Sequence, residues 1–397
     1  MRFFFSLWLW AAVVGRALGV PQSSGFVGLD GNGSLVLQPV AGQQVLVDGV
    51  VFQALVQRVA QLEQQQAQLL SGACTPVADI TTITGLEGNG NKWHGAVLAS
   101  NGKIYGMPYT SQSMLVIDPA TDTVDTISVM DVFTGGWIGG VAAGNKIYGI
   151  PFSSPSVLII DPSTNTADVT TITGLGGGGK WLGGVLARGK IYAIPNSSPS
   201  VLIIDPTSNT ASTTTITGLG NEPDKWAGGV LGTNGKIYGI PRNSPSVLIL
   251  DPITNTTDTT TITDLGTGAN KWFDGVLARN GKIYGIPWRA SSVLIIDPTA
   301  DTVDVTTITG VGIEFAGKWA GGVLTSSGKI YGIPFSATSV LVIDPTTNTA
   351  NTTTVTGLGD GGAKWVGGVL ASNGRIYGIP AQSPSVLIIG CAAVPGL

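Results

Sequence analysis

Histidine, cysteine and charge are scarce in this sequence. One histidine, two cysteines and 11% charged residues occur among 397 positions, and the formal net charge is −4. With a single histidine, His94, the chain cannot build a histidine-based metal cluster, and Ser-His-Asp or Cys-His catalysis is disfavoured. We predict that His94 is a loop residue, and we predict no metal or cofactor. Without a basic tract, nucleic acid and anionic membranes are not expected partners.

Long apolar runs are also missing after the first residues. Residues 1–19 are typical of a signal peptide, with Arg2, an apolar segment from Phe3 to Val14, and small residues at Ala17 and Gly19. The alternative, a membrane anchor, is disfavoured because about a dozen apolar residues are too few to cross a bilayer. We therefore expect a secreted or cell-surface protein without a transmembrane segment.

Glycine, by contrast, is abundant, with 58 residues, and one phrase of the sequence recurs seven times. A clear copy runs from Lys180 through Trp181, Tyr192 and Asp205 to Thr217. The tryptophans of successive copies are 44, 44, 45, 46, 47 and 46 residues apart. Each copy holds four short runs rich in Val, Ile, Thr and Tyr, separated by turn residues, the fourth run of this copy being Thr213–Thr217. Four strands in about 45 residues predict an all-β, seven-bladed β-propeller with four-stranded blades.

The two ends of the repeat region predict how the ring closes. The last copy stops after its third strand, Ser385–Ile389, and the region opens with an unmatched fourth strand, Val77–Thr84. Pairing these two strands would complete the seventh blade and remove an open sheet edge. Cys74 and Cys391 flank the two strands, so we predict a disulfide between them; two free thiols are the alternative.

The segments Asn280–Tyr284 and Ser292–Pro298 resemble kelch-type propeller repeats, which carry a similar Asn-Gly-Lys-Ile-Tyr strand and a following strand that ends in Asp-Pro. The resemblance covers residues 76–390. It departs where kelch repeats end the tyrosine strand with Gly-Gly, since this chain has Gly-Ile-Pro or a close variant. The resemblance implies a kelch-like propeller fold and leaves function open, because propellers serve as enzymes and as binding modules.

The predicted domains are a signal peptide (1–19), a Gly-rich segment with short strands (20–50), a short coiled-coil helix (51–72), the propeller (74–391) and a tail (392–397). The helix is predicted from apolar positions at alternating spacings of three and four between Phe52 and Leu69. Residues 52–69 therefore predict a homo-oligomer. A single helix packed on the propeller is the alternative.

Every lysine falls in one of two repeat slots at opposite ends of the strands. One slot precedes the repeat tyrosine, where Lys190 should face Asp205 and Lys146 should face Asp161 as ion pairs within a blade. The other slot precedes the tryptophan and holds Lys92, Lys180, Lys225, Lys271, Lys318 and Lys364.

The most variable positions of the repeat follow its proline, on the same face as the second lysine slot. They include Tyr109, Phe152, Arg242, Trp288 and Phe335. Exposed aromatic side chains beside lysines suit stacking on a sugar ring or docking of a protein, so these residues and the six lysines form the candidate binding face. Drift on an unselected loop is the alternative. The repeated tryptophans are predicted to pack between blades.

The sequence therefore favours an extracellular module that binds a glycan or a protein. A carboxylate-dependent propeller lyase or hydrolase and a passive coat component are the alternatives. Four Asn-x-Ser/Thr sites for N-glycosylation are predicted at Asn32, Asn196, Asn255 and Asn351.

Overall fold

The computed structural model describes residues 75–86, 90–129, 135–312 and 317–391 with their side chains, together with the backbone of four short strands nearer the N-terminus. The predicted signal peptide, the coiled-coil helix beyond Val51 and the C-terminal tail lie outside the described residues. Asn32 and Cys74 do too.

The chain divides into two units between Ala73 and Cys74. The described strands of the first unit form two antiparallel hairpins, in the Gly-rich segment where short strands were predicted. They are β1 (Phe26–Leu29) with β2 (Leu35–Gln38), and β3 (Leu46–Val47) with β4 (Val50–Val51).

The second unit is a seven-bladed β-propeller, as predicted. Its strands form seven four-stranded antiparallel sheets, the blades, each beginning at a repeat tryptophan. The strand that opens this unit is β5 (Pro76–Asp79). Blade 1 is β6 (Trp93–Leu98), β7 (Ile104–Pro108), β8 (Ser113–Asp118) and β9 (Thr123–Ser128); blade 2 is β10 (Trp137–Ala143), β11 (Lys146–Pro151), β12 (Leu158–Asp161) and β13 (Thr166–Asp168); blade 3 is β14 (Trp181–Ala187), β15 (Lys190–Pro195), β16 (Leu202–Asp205) and β17 (Thr210–Ser212).

The remaining blades repeat this arrangement. Blade 4 is β18 (Trp226–Leu231), β19 (Ile237–Pro241), β20 (Leu248–Asp251) and β21 (Thr256–Asp258); blade 5 is β22 (Trp272–Leu277), β23 (Ile283–Pro287), β24 (Leu294–Asp297) and β25 (Thr302–Asp304); blade 6 is β26 (Trp319–Leu324), β27 (Ile330–Pro334), β28 (Leu341–Asp344) and β29 (Thr349–Asn351); blade 7 is β30 (Trp365–Leu370), β31 (Ile376–Pro380), β32 (Leu387–Cys391) and β5.

The ring closes through the predicted pairing of its two ends. β5 pairs antiparallel with β32, so that Pro76 lies opposite Cys391 and Asp79 lies opposite Ile388. The two ends of the repeat region thereby complete one sheet, which removes two open edges.

Outside blade 1, the fourth strand of each blade ends earlier than predicted. In blade 3 it covers Thr210–Ser212, whereas Thr213–Thr217 was expected, and β5 stops at Asp79 instead of Thr84. Side chains explain the early stop, because Asp79 Oδ1 accepts hydrogen bonds from the backbone N–H groups of Thr81 and Thr82 at 2.7 and 3.1 Å. Such a local bond takes the backbone out of the ladder. Asp168, Asp258 and Asp304 do the same in their blades.

The core lies between neighbouring blades. All seven repeat tryptophans are buried, and Trp137 of blade 2 packs against Tyr105 and Met114 of blade 1, as predicted for a wedge between blades. Each indole N–H donates to a backbone carbonyl of its own blade, as Trp137 does to Ser156 at 2.8 Å. Burying the ring together with a satisfied N–H stabilises the blade stack. In the part of the chain described here, no helix is long and apolar enough to cross a membrane.

Candidate functional site

A closed circuit of backbone hydrogen bonds fixes one face of the propeller. In each blade the residue after the proline donates its N–H to the carbonyl of the residue before the tryptophan, as Trp288 does to Lys271 at 2.9 Å. Its own carbonyl then accepts from the residue before the tryptophan of the next blade, as Trp288 does from Lys318 at 2.8 Å. The alternation continues through all seven blades and returns to Lys92 by way of Ala381.

This circuit brings the variable side chains together around the propeller axis. Five of them are half-buried and are called the axial patch: Tyr109, Phe152, Arg242, Trp288 and Phe335. The four aromatic members pack on an apolar ring formed by the residues that follow the tryptophans, among them Ile138, Leu182 and Phe273. The other two variable residues, Asn196 and Ala381, are fully buried.

Aromatic contacts join the members of the axial patch. Trp288 lies 4.4 Å from Phe335 and 5.2 Å from Phe273, measured between ring centroids. The Arg242 guanidinium lies 5.9 Å from both the Phe273 and the Trp288 rings, and it forms an ion pair with Asp224 at 2.9 Å. These stacked and tilted contacts hold the side chains in place, so the patch is ordered in advance of any ligand.

Several of these side chains pack against a residue of the next blade whose size suits them. This match was not predicted from the sequence. A Cβ atom placed on Gly317 would lie 2.2 Å from the Trp288 indole, and one placed on Gly179 would lie 2.8 Å from the Phe152 ring. Where Asn270 occupies the equivalent position, Arg242 Nε donates to its Oδ1 at 2.7 Å. The sequence signal was present, because the residue two positions before each tryptophan changes together with the variable residue of the preceding blade.

The six candidate lysines lie beneath this face and not on its surface. This corrects the prediction that they belong to the binding face. Lys92, Lys225, Lys271, Lys318 and Lys364 are buried, and Lys180 is half-buried. Their ammonium groups donate to backbone carbonyls at 2.8 to 3.0 Å, in most cases on a loop of the preceding blade. Each also lies within 6.0 Å of the centroid of its neighbouring tryptophan ring. The structure thus gives these lysines a role in joining blades.

His94 belongs to the apolar surroundings of the patch. Its ring stacks on Tyr109 with centroids 4.1 Å apart and planes 2° from parallel. Burial lowers the pKa of His94 to about 3, so the imidazole is neutral at physiological pH. His94 is half-buried and lies on β6, which corrects the prediction of a loop residue.

The predicted ion pair between Lys146 and Asp161 is not among those of the described residues, and Lys236 binds Asp301 of the next blade at 3.0 Å. Within a blade, Lys190 pairs with Asp205 at 3.9 Å, as predicted. Lys103–Asp118 and Lys282–Asp297 repeat the arrangement at 3.5 and 3.6 Å. Hydrogen bonds from Ser163, with a smaller contribution from Lys146, lower the pKa of Asp161. In the last copy Arg375 instead binds Asp122 of blade 1.

The glycosylation sites differ sharply in accessibility. Asn196 is fully buried and its amide nitrogen donates to the Trp226 carbonyl at 3.0 Å. A glycan on this nitrogen is therefore incompatible with the folded blade, which corrects that prediction. Asn255 is half-buried and accepts a bond from Tyr192 at 3.2 Å, whereas Asn351 is exposed.

A second feature was missed entirely: a ring of close backbone contacts on the axis, called the collar. It consists of the second residue after each tryptophan, namely Gly95, Gly139, Gly183, Gly228, Asp274, Gly321 and Gly367. All seven have φ between 65° and 87°. A Cβ atom on any of the six glycines would lie 2.9 to 3.2 Å from the Cα atom of the next member.

Other clusters of reactive side chains are few. In the residues that the structure describes, no group of three or more His, Cys, Asp or Glu side chains is placed to hold a metal ion. Cys391, the cysteine among them, is not a free thiol. The pairing of Cys391 with Cys74 stays a prediction, because Cys74 is outside the described part.

Comparisons with known proteins identify the architecture. No protein-family model and no curated protein matches the chain. The match to a streptogramin B lyase structure covers 79% of this chain and 98% of the lyase chain, at 10% identity and a TM-score of 0.60. Inactive virginiamycin B lyase from Staphylococcus aureus, solved with quinupristin, covers 80% and 100% at 8% identity and a TM-score of 0.65.

A third similar structure is the extracellular domain of a hybrid two-component system from B. thetaiotaomicron. It covers 80% of this chain and 43% of its own, at 11% identity and a TM-score of 0.61. At these identities the likeness shows the fold alone: this chain has the fold of a seven-bladed β-propeller.

Proposed function

We propose that this protein is an extracellular binding module that recognises a glycan through the axial patch. The observation that carries the proposal is the convergence of the most variable repeat position on one continuous surface. The surrounding backbone is regular, since the hydrogen-bond circuit repeats in every blade. A rigid scaffold that displays diverse side chains is typical of recognition surfaces.

The chemistry of the patch suits a sugar. Half-buried aromatic rings offer apolar faces for the C–H side of a sugar ring. Planar polar groups surround them, including the Arg242 guanidinium and the amides of Asn243 and Asn270, and further round the ring those of Asn91 and Gln382. Such groups bind adjacent hydroxyls through paired hydrogen bonds. The buried lysines are not part of the proposed surface.

Two sequence predictions support the extracellular setting. They are the signal peptide at residues 1–19 and the Cys74–Cys391 disulfide, which would link the paired strands β5 and β32. Peptide mapping without reduction tests the bridge: a linked peptide is expected, and two free thiols in the mature protein would refute it.

Protein docking is the second candidate. Trp288, Tyr109 and Arg242 are of the three residue types most enriched among residues that dominate protein–protein binding energy. The lyase or hydrolase and the passive coat component remain alternatives without a comparable observation in their favour.

Glycan arrays and pull-downs from extracellular fractions test the proposal, using the wild type, Trp288→Ala and Tyr109→Ala. We expect each variant to weaken glycan binding at least about fivefold, since stacking of one aromatic ring contributes on the order of 1 kcal/mol or more. The control is Ile253→Ser, which changes an exposed apolar residue, 67% accessible, in a turn on the opposite face.

The outcomes separate the candidates. Loss of protein capture without any glycan binding would support the patch and reject the sugar. Binding that is unchanged in both variants would reject the patch itself. Circular dichroism of each variant confirms that the propeller is folded.

A further inference from the structure

The collar contains one residue that breaks its symmetry. Six members are glycine, and Asp274 of blade 5 is the seventh. Its carboxylate lies between the two neighbouring members of the collar, since a Cβ atom on Gly228 would lie 2.5 Å from its Oδ1 and one on Gly321 would lie 3.7 Å from its Oδ2. The collar therefore places one acidic group on the wall of the axial cavity.

An aspartate is costly at this position. Asp274 has φ 65°, a backbone conformation that glycine adopts without penalty and that side chains disfavour. Burial raises its pKa, and a hydrogen bond from the N–H of Gly275 at 2.9 Å offsets this in part. None of the ion pairs among the described residues involves it. Asp274 is half-buried, and carboxylates that are withdrawn from water are normally paired with a cation or bound to a metal.

The carboxylate faces a cavity on the axis. The cavity has a volume of about 150 Å³ and is lined by collar residues and by Ile138, Leu182, Phe273 and Val366 of the apolar ring. This volume accommodates an ion together with several waters. The cavity thus lies directly below the axial patch and shares its apolar ring.

Backbone polar groups line the same cavity. In every blade the ladder between the first two strands is interrupted after the tryptophan; in blade 5 it resumes at Gly275, opposite Gly285. Phe273 and Asp274 therefore have no partner in that ladder. Bulged residues leave their peptide groups unpaired within the sheet, and seven such segments surround the cavity that Asp274 lines.

We propose that the axial cavity binds a hard cation, one of Na⁺, K⁺, Mg²⁺ or Ca²⁺, with the Asp274 carboxylate and peptide oxygens of the collar as ligands. Carboxylate, carbonyl and water oxygens are the ligands that hard cations prefer. The site is independent of glycan recognition at the patch above it.

Thermal unfolding of the full chain tests the site. After removal of metal with EDTA, each chloride salt is titrated at pH 8 while tetramethylammonium chloride keeps the ionic strength constant. One ion is expected to raise the melting temperature saturably. At 100 times its Kd the unfolding equilibrium constant falls about 100-fold. Asp274→Asn, which keeps the shape and removes the charge, should lose the shift.

Matched variants make the test decisive. Asp264 also has positive φ, 62°, but its side chain is exposed, so Asp264→Asn should respond as the wild type does. Asp274→Gly restores the collar residue and should fold without binding the ion. Isothermal titration of the wild type with the active ion should give one ion per chain. The proposal fails if no ion acts beyond tetramethylammonium, or if Asp274→Asn or Asp274→Gly responds like the wild type.

Discussion

Arg375 of blade 7 forms an ion pair with Asp122 of blade 1. Its Nη2 atom lies 2.7 Å from each carboxylate oxygen. Tyr377 donates its hydroxyl to the same carboxylate at 2.7 Å. In other blades the residue equivalent to Asp122 is mostly asparagine, as in the Tyr105–Asn165 bond at 2.9 Å. The contact that joins the last blade to the first therefore adds a charge to a bond used throughout the ring.

Two substitutions at Asp122 separate the charge from the shared bond. Asp122→Asn keeps an acceptor for Tyr377, so it should lower the free energy of unfolding by about 1 kcal/mol or less, as expected for a partly exposed ion pair. Asp122→Gly suits the positive φ of 53° but removes both bonds, and should cost about 2 kcal/mol. Urea unfolding measures both values. Equal costs would show that the Tyr377 bond contributes nothing.

The two lysine slots of blade 5 should differ in energy. Lys271 is buried and donates to the carbonyls of Ser244 and Gly268 at 2.9 and 3.1 Å, so Lys271→Met strands buried acceptors and should cost about 2 to 3 kcal/mol. Lys282→Met removes only an exposed ion pair and should cost less than about 1 kcal/mol. Denaturant midpoints at pH 7 provide the comparison. A larger loss for Lys282→Met would contradict the assignment of the buried slot to the joints between blades.

Asp274 should make stability depend on pH in the absence of the four cations. Burial raises its pKa in the folded state to about 6, from an ordinary value of 3.8. Between these values the folded protein keeps a proton that the unfolded chain releases, so the free energy of unfolding falls as the pH rises from 4 to 6. The total fall is about 3 kcal/mol.

Asp274→Gly should lack this fall and exceed the wild type in stability at pH 8. Unfolding is measured in tetramethylammonium buffers from pH 4 to pH 8, with Asp264→Gly as the control that retains the fall. A wild-type profile parallel to that of Asp274→Gly would mean that the carboxyl does not titrate in this range.

Glycan occupancy should follow accessibility when the chain is expressed through a eukaryotic secretory pathway. Asn351 is exposed and should carry a glycan, whereas Asn196 should not, because its amide nitrogen is buried against Trp226. Glycopeptide mass spectrometry gives the occupancy of both sites. A glycan at Asn196 in folded protein would contradict the described position of its side chain.

Much of the fold was predictable because the repeat exposes it. Seven tryptophans set the number of blades, and the unmatched strand ending at Asp79 set the closure. The early end of the fourth strands was not predictable, because β-propensity favours threonine in strands. The carboxylate of Asp79 or Asp168 instead binds the following threonines in a turn.

The candidate site was only partly predictable. Strand direction correctly placed Tyr109 and Trp288 on one face, but it gave no distances to the axis. The burial of Lys271 depends on carbonyls of a neighbouring blade, which leave no mark in the sequence. Asp274 was missed because a change from glycine to aspartate after a tryptophan looks like ordinary loop variation until the collar brings those seven positions together.

The pairing of β5 with β32 also constrains the order of assembly. Pro76 and Cys391 face each other across the seam, so the first strand of the propeller to leave the ribosome pairs with the last. Six blades consist of consecutive segments and are able to form as each segment emerges, whereas blade 7 waits for the entire chain. Ring closure is thus a late, long-range event, and until it occurs β5 and β32 are edges open to pairing with another molecule.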